Sequence, residues 1–111
     1  MIKVLVIPFA HSPYTVTIDG THKKFCALVH DVNTDTIFIN EFSVVMKVAA
    51  NKKPGTNQHN VVATMLAEKM VPGFSLYDRI FGDVVIAGLS PEEDYISVPE
   101  TVMQTVQVMQ R

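Results

Sequence analysis

Gly82-Asp83-Val84-Val85-Ile86-Ala87-Gly88 decides the fold. Val84, Val85, Ile86 and Ala87 form an unbroken apolar run between two glycines, with three β-branched side chains in a row. The run is too short for a helix and has no polar alternation, so it predicts a strand in the middle of a sheet.

Working towards the N-terminus, Val61, Val62, Met65, Leu66 and Met70 recur at helical spacing, and Pro72-Gly73 stops that helix. Thr36–Ile39 and Ser43–Val48 read as two strands around an Asn40-Glu41 hairpin turn. Thr21 is placed to cap a helix carrying Phe25, Leu28 and Val29 that ends near Asp31. Ile2–Ile7, bounded by Pro8, reads as a buried strand, and the alternating Tyr14–Ile18 as a half-buried partner beyond the turn at His11-Ser12-Pro13. Towards the C-terminus, Ser90–Asp94 is an acidic loop. Ser97-Val98-Pro99-Glu100 has capping-box spacing and opens a final helix, with Pro99 inside its first turn. The expected architecture is one α+β domain spanning 1–111, a mixed sheet of about five strands covered by about three helices.

Composition agrees with one folded domain. Of 111 residues, 48% are hydrophobic and only 18% charged, which excludes a disordered chain. The net charge of −2 argues against bulk electrostatic binding of a nucleic-acid duplex. One cysteine precludes an internal disulfide and fits a reducing compartment. The apolar start meets Pro8 and His11 too early for a signal peptide, and no run approaches the ~20 residues of a membrane span. A cytoplasmic protein is expected.

The 51–60 segment is the main candidate site. Lys52 and Lys53 supply cations, Gly55 permits close backbone approach, and Asn57, His59 and Asn60 offer polar side chains ahead of a helix N-terminus. Arg79 is a further candidate contact. That chemistry suits a phosphate or nucleotide, although the Gly-Lys-Ser/Thr ending of a P-loop is absent. The competing account is a solvated loop with an asparagine cap.

His22, Cys26 and His30 follow each other at i, i+4, i+8, but the outer pair lies about 12 Å apart along a helix. A packed thiol flanked by exposed histidines is expected, with no metal and no cofactor. No nucleophile elbow or zinc-protease motif is present, so no catalytic residue is assigned and an enzyme is not expected. His59 with Asp83, and His11 with Tyr14, are the pairs a fold would have to bring together to alter that. The last helix carries no charge between Glu100 and Arg111. Its Val102, Met103, Val106, Val108 and Met109 form a candidate interface for a second copy or a host protein.

Four stretches carry a resemblance: Met1–Ile7, the Ile18-Asp19-Gly20 turn into a short helix, Asn57-Gln58-His59-Asn60-Val61-Val62-Ala63-Thr64-Met65-Leu66, and Gly82–Gly88. They resemble a family of small domains of unknown function found on phages, prophages and plasmids, with an Asn-rich entry into an Ala-Thr helix and a Gly-Asp-Val-Val strand. The segment Glu41–Gly55 departs from that pattern. The resemblance implies an accessory protein of a mobile element in a bacterial cytoplasm. Such a protein is expected to act by stoichiometric binding, as a homo-oligomer sequestering an anionic nucleotide signal and so countering host defence. The alternatives are an inhibitor docking on a host defence or replication protein through its last helix, and a nucleotide-acting enzyme using His59 or His11.

Overall fold

In the computed structural model, residues 1–39, 43–51, 58–74 and 79–110 are described. The chain runs β1 (Ile2–Ile7), β2 (Tyr14–Ile18), α1 (His22–Val29), β3 (Thr34–Ile39), β4 (Val44–Ala49), α2 (Val61–Met70), β5 (Val84–Leu89), β6 (Tyr95–Ile96) and α3 (Glu100–Met109). The Val84–Ala87 run is the centre of the sheet, as its composition requires. β5 lies between β1 and β4 in the order β2-β1-β5-β4-β3, with β6 also paired to β5. Every strand pairing is antiparallel, which corrects the expected mixed sheet. A parallel pair needs a crossover returning to the same end of the sheet. Here β2 and β3, joined through α1, run in the same sense but stand at opposite edges of the sheet and do not pair, while β4 and β5, joined through α2, run in opposite senses and lie side by side.

Strand alternation splits the core in two. Leu5, Ile7, Val44, Met46, Val84 and Ile86 face α2 and α3, where they meet Leu66, Ala67, Val102 and Val106. Val4, Val6, Val45, Val85 and Ala87 face the other way, onto Phe25 and Val29 of α1. A strand covered on both faces must be apolar at successive positions, which is why β5 and β1 show no alternation. β2 lies at an edge and alternates. The radius of gyration is 12.8 Å, close to the ~13 Å of one compact domain of this length.

The helix ends follow local chemistry. The Thr21 side chain accepts from the Lys24 N–H, and α1 stops at His30, which takes a left-handed conformation and returns its N–H to the Cys26 carbonyl. α2 is capped by Asn60. α3 begins differently from the capping box: Pro99 is its N-cap, without a side-chain bond. The Ser97 hydroxyl instead accepts the Lys3 N–H at 3.0 Å, and the Val98 N–H reaches the Lys3 carbonyl at 2.8 Å. Ser97 thus stitches the entry to α3 onto β1.

The faces of α2 and α3 also depart from the simple stripes. On α2 the buried residues are Ala63, Thr64, Leu66 and Ala67, while Val61 and Met65 are 53% and 44% exposed. Two alanines let the helix lie close to the sheet and turn Met65 outward. On α3, Met103 packs against the core beside Val102 and Val106.

Candidate functional site

The site is built where two short segments meet. The Asn60 N–H donates to the Ile80 carbonyl at 2.8 Å, the Gly82 N–H to the Gln58 carbonyl at 2.7 Å, and His59 faces Phe81 in an antiparallel bridge. This pairing brings the entry of α2 against the entry of β5. It places His59 and Arg79 on one cleft of about 210 Å³, together with Val61, Thr64, Met65 and Glu68 of α2.

Thr64 holds the floor of that cleft. Its hydroxyl donates to the Asn60 carbonyl at 2.8 Å and accepts the Ile80 N–H at 3.0 Å. His59 Nε2 lies 3.3 Å from the same oxygen. A hydroxyl has one proton and two lone pairs, so with its proton given to Asn60 the oxygen accepts from both Ile80 and His59. Nε2 is therefore the protonated nitrogen of His59, which leaves Nδ1 as the acceptor of the neutral ring. Phe81 lies against the imidazole, with ring centroids 5.8 Å apart.

The charges of the cleft come from Arg79 and Glu68, both exposed. Among the described residues neither side chain has an ion-pair or hydrogen-bond partner, although they line the same cleft. Arg79 also borders a second hollow of about 130 Å³ beside Asp35, Ile37 and Val48. An unpaired guanidinium beside an imidazole can hold an anionic group, while a nearby carboxylate accepts N–H or O–H donors.

Two of the six expected ligand contacts, His59 and Arg79, thus share a cleft. Asn60 does not join them. It is buried, with its Oδ1 accepting the Ala63 N–H at 3.0 Å and its Nδ2 donating to the Ile7 and Gly82 carbonyls at 2.8 and 2.9 Å. Those bonds tie α2 to β1 and to the entry of β5, and they correct the expectation of a ligand contact there. Lys52, Lys53 and Asn57 lie outside the described residues, as does the Asn40-Glu41 turn. The flanks of 52–57 are anchored. Asn51 gives its backbone N–H and side-chain amide to Asp31 at 2.8 and 2.9 Å, and Gln58 is held by Gly82.

Thr64, Met65 and Glu68 were not foreseen as site residues. The signal for two of them was Val61, Met65 and Glu68 at i, i+4, i+7, one face of α2 that its buried residues leave outward.

The remaining candidates separate. Cys26 is buried, its Sγ 3.3 Å from His22 Nε2 and 3.6 Å from the Val32 carbonyl, between the exposed His22 and His30. Asp83 pairs with His30 at 3.1 Å, not with His59, and its other oxygen accepts the Phe9 N–H at 3.1 Å. His11 and Tyr14 line different clefts. Among the described residues, no group of three or more His, Cys, Asp or Glu side chains is placed to hold a metal ion. Of the five interface candidates on α3, Val102 and Val106 are core residues and Met103 and Met109 pack against the core. Only Val108 stands out, 62% exposed. The five candidates do not make one exposed face: beside the exposed Val108, Met103 and Met109 are half-buried, and Val102 and Val106 belong to the core because they point onto the sheet beneath α3. Among the described residues, no helix is long and apolar enough to cross a membrane.

No protein-family model matches the chain, and neither does any curated protein or solved structure.

Proposed function

We propose that this chain is a stoichiometric binding protein of a phage or other mobile element. It sequesters a small anionic nucleotide in the cleft between α2 and the entry of β5, as an oligomer in the bacterial cytoplasm. The observation that carries this reading is the juxtaposition of His59 and Arg79 in one cleft, with Arg79 unpaired among the described residues. A guanidinium offers a planar fork of donors that matches phosphate oxygens. The exposed Val61 and Met65 supply an apolar wall for a base, and Lys52 and Lys53 stand close in sequence to the cleft. Binding without turnover follows from the chemistry at hand. His59 is engaged with Thr64, whose hydroxyl proton goes to the Asn60 carbonyl, and among the described residues no other hydroxyl or thiol is set against it.

Native mass spectrometry of the protein mixed with linear and cyclic nucleotides tests this. Discrete adducts on an oligomer, released chemically unchanged, support the reading. Arg79→Ala lowers occupancy at least tenfold while leaving the oligomer intact. A ligand released as a different species establishes an enzyme instead, and absence of adducts across the panel overturns the nucleotide reading.

A further inference from the structure

Arg79 and Glu68 line one small cleft and, among the described residues, pair neither with each other nor with a third side chain, which leaves both charges open to one ligand. Arg79 answers a phosphate. Glu68 would repel one, so it faces another part of the ligand, and that part must present hydrogen-bond donors to an ionised carboxylate. Glu68 follows Met65 and Val61 along the outward face of α2, about 10 Å from the start of the helix. Met65 and Val61, both well exposed, form the apolar strip on which the base plane would lie.

Among the four common bases, only guanine offers two adjacent donors on one edge, N1–H and the 2-amino group, matching the two oxygens of a carboxylate. Adenine presents an acceptor at N1 and a hydrogen at C2, which would leave the carboxylate facing a lone pair. We infer that Glu68 selects guanine, making this cleft a guanine-nucleotide site with Arg79 at the phosphate end. The inference rests on the nucleotide reading above and adds the base to it.

Isothermal titration of the full chain with GMP, IMP and AMP tests it. IMP keeps N1–H but lacks the 2-amino group. A bidentate base contact discriminates by about 10- to 100-fold. GMP is expected to bind tighter than AMP by that factor, with IMP between them. In Glu68→Gln, which alters an exposed side chain and can be checked for folding by circular dichroism, GMP and AMP are expected to bind equally. Equal affinities for GMP and AMP in the unaltered protein overturn guanine selection and leave nucleotide binding standing. A preference for GMP that survives in Glu68→Gln overturns the role of Glu68. No binding of any of the three overturns guanine selection and the nucleotide reading together.

Discussion

Lys47 Nζ lies 2.7 Å from the hydroxyl of Thr36, its cross-strand neighbour, and 4.9 Å from the ring centroid of Tyr95. The Phe25 ring stands 6.0 Å away on the α1 side, meeting Tyr95 edge-on. Lys47 is only 7% exposed, and among the described residues no carboxylate pairs with it. An ammonium there is held by one hydroxyl and two aromatic faces.

Removing the hydroxyl while keeping the charge should therefore hurt, and removing the charge should not. Thr36→Val is expected to destabilise by about 2 kcal/mol, the cost of a lost hydrogen bond to a charged group. Tyr95→Leu should cost about 1 kcal/mol through the cation–π contact alone, before any lost packing. Lys47→Met is expected to be neutral or stabilising by about 1 kcal/mol, since a buried charge is exchanged for an apolar chain of similar length. Urea unfolding midpoints of the three variants decide it. A strongly destabilised Lys47→Met would mean that the ammonium is compensated better than these contacts allow.

Asn60 joins three elements with one side chain. Asn60→Ala removes the α2 cap and leaves the buried Ile7 and Gly82 carbonyls without their amide donor. The expected loss is about 3 kcal/mol, combining a helix cap with unsatisfied buried acceptors. Because the side chain is buried, nucleotide affinity measured on the folded fraction at low temperature should be changed little. A variant that is fully stable yet fails to bind would return Asn60 to the ligand.

Much of the fold is legible along the chain, because its strongest features are local. The Val84–Ala87 run, the β1–β2 hairpin and the Thr21 and Asn60 caps each depend on a few neighbouring residues. What is not legible depends on distant ones. Strand β6 is two residues long, and Tyr95 and Ile96 carry no alternation to read. Ser97 has the spacing of a capping residue, yet Lys3, 94 positions away, claims its hydroxyl. The site divides in the same way. His59 and Arg79 have the right chemistry in sequence, but their meeting depends on the backbone bridge between 59 and 81. Glu68 lies two turns into a helix whose outward face was known only once Ala63 and Ala67, not Val61 and Met65, proved to be buried.

Acid should weaken the fold through two surface aspartates. The backbone N–H of Asn51, followed by its side-chain amide, holds Asp31 below the ordinary aspartate value of 3.8. The backbone N–H and then the hydroxyl of Thr21 do the same for Asp19. Both carboxyls ionise more readily folded than unfolded. Their contribution is therefore present above the ordinary value and is lost as pH falls through the lower folded one. Urea midpoints should be level above about pH 5 and decline below it. The double variant Asp19→Asn with Asp31→Asn should show a shallower decline; an unchanged slope would place the acid sensitivity elsewhere.

Gly88 tests the pairing that sequence could not foresee. It stands opposite Ile96 in the β5–β6 register, where the chain turns from the sheet towards α3. A Cβ added at Gly88 would lie 2.6 Å from the Ser97 carbonyl oxygen and 2.8 Å from Ile96 Cγ1. The isoleucine can rotate away, but the carbonyl belongs to the backbone that Ser97 and Val98 fasten to Lys3. Gly88→Ala must therefore push β6 off β5 or strain that seam, at a cost of about 2 kcal/mol or more for an overpacked site. Amide hydrogen exchange distinguishes the outcomes. If β6 peels away, the amides of the β5–β6 pairing lose protection while Val98, bonded to the Lys3 carbonyl, and Val85 and Ile86 at the centre of β5 keep theirs. Loss of protection at Val98 would mean that the seam, not the two-residue strand, absorbs the strain. An alanine variant as stable and as protected as the parent chain would rule out the close β5–β6 approach.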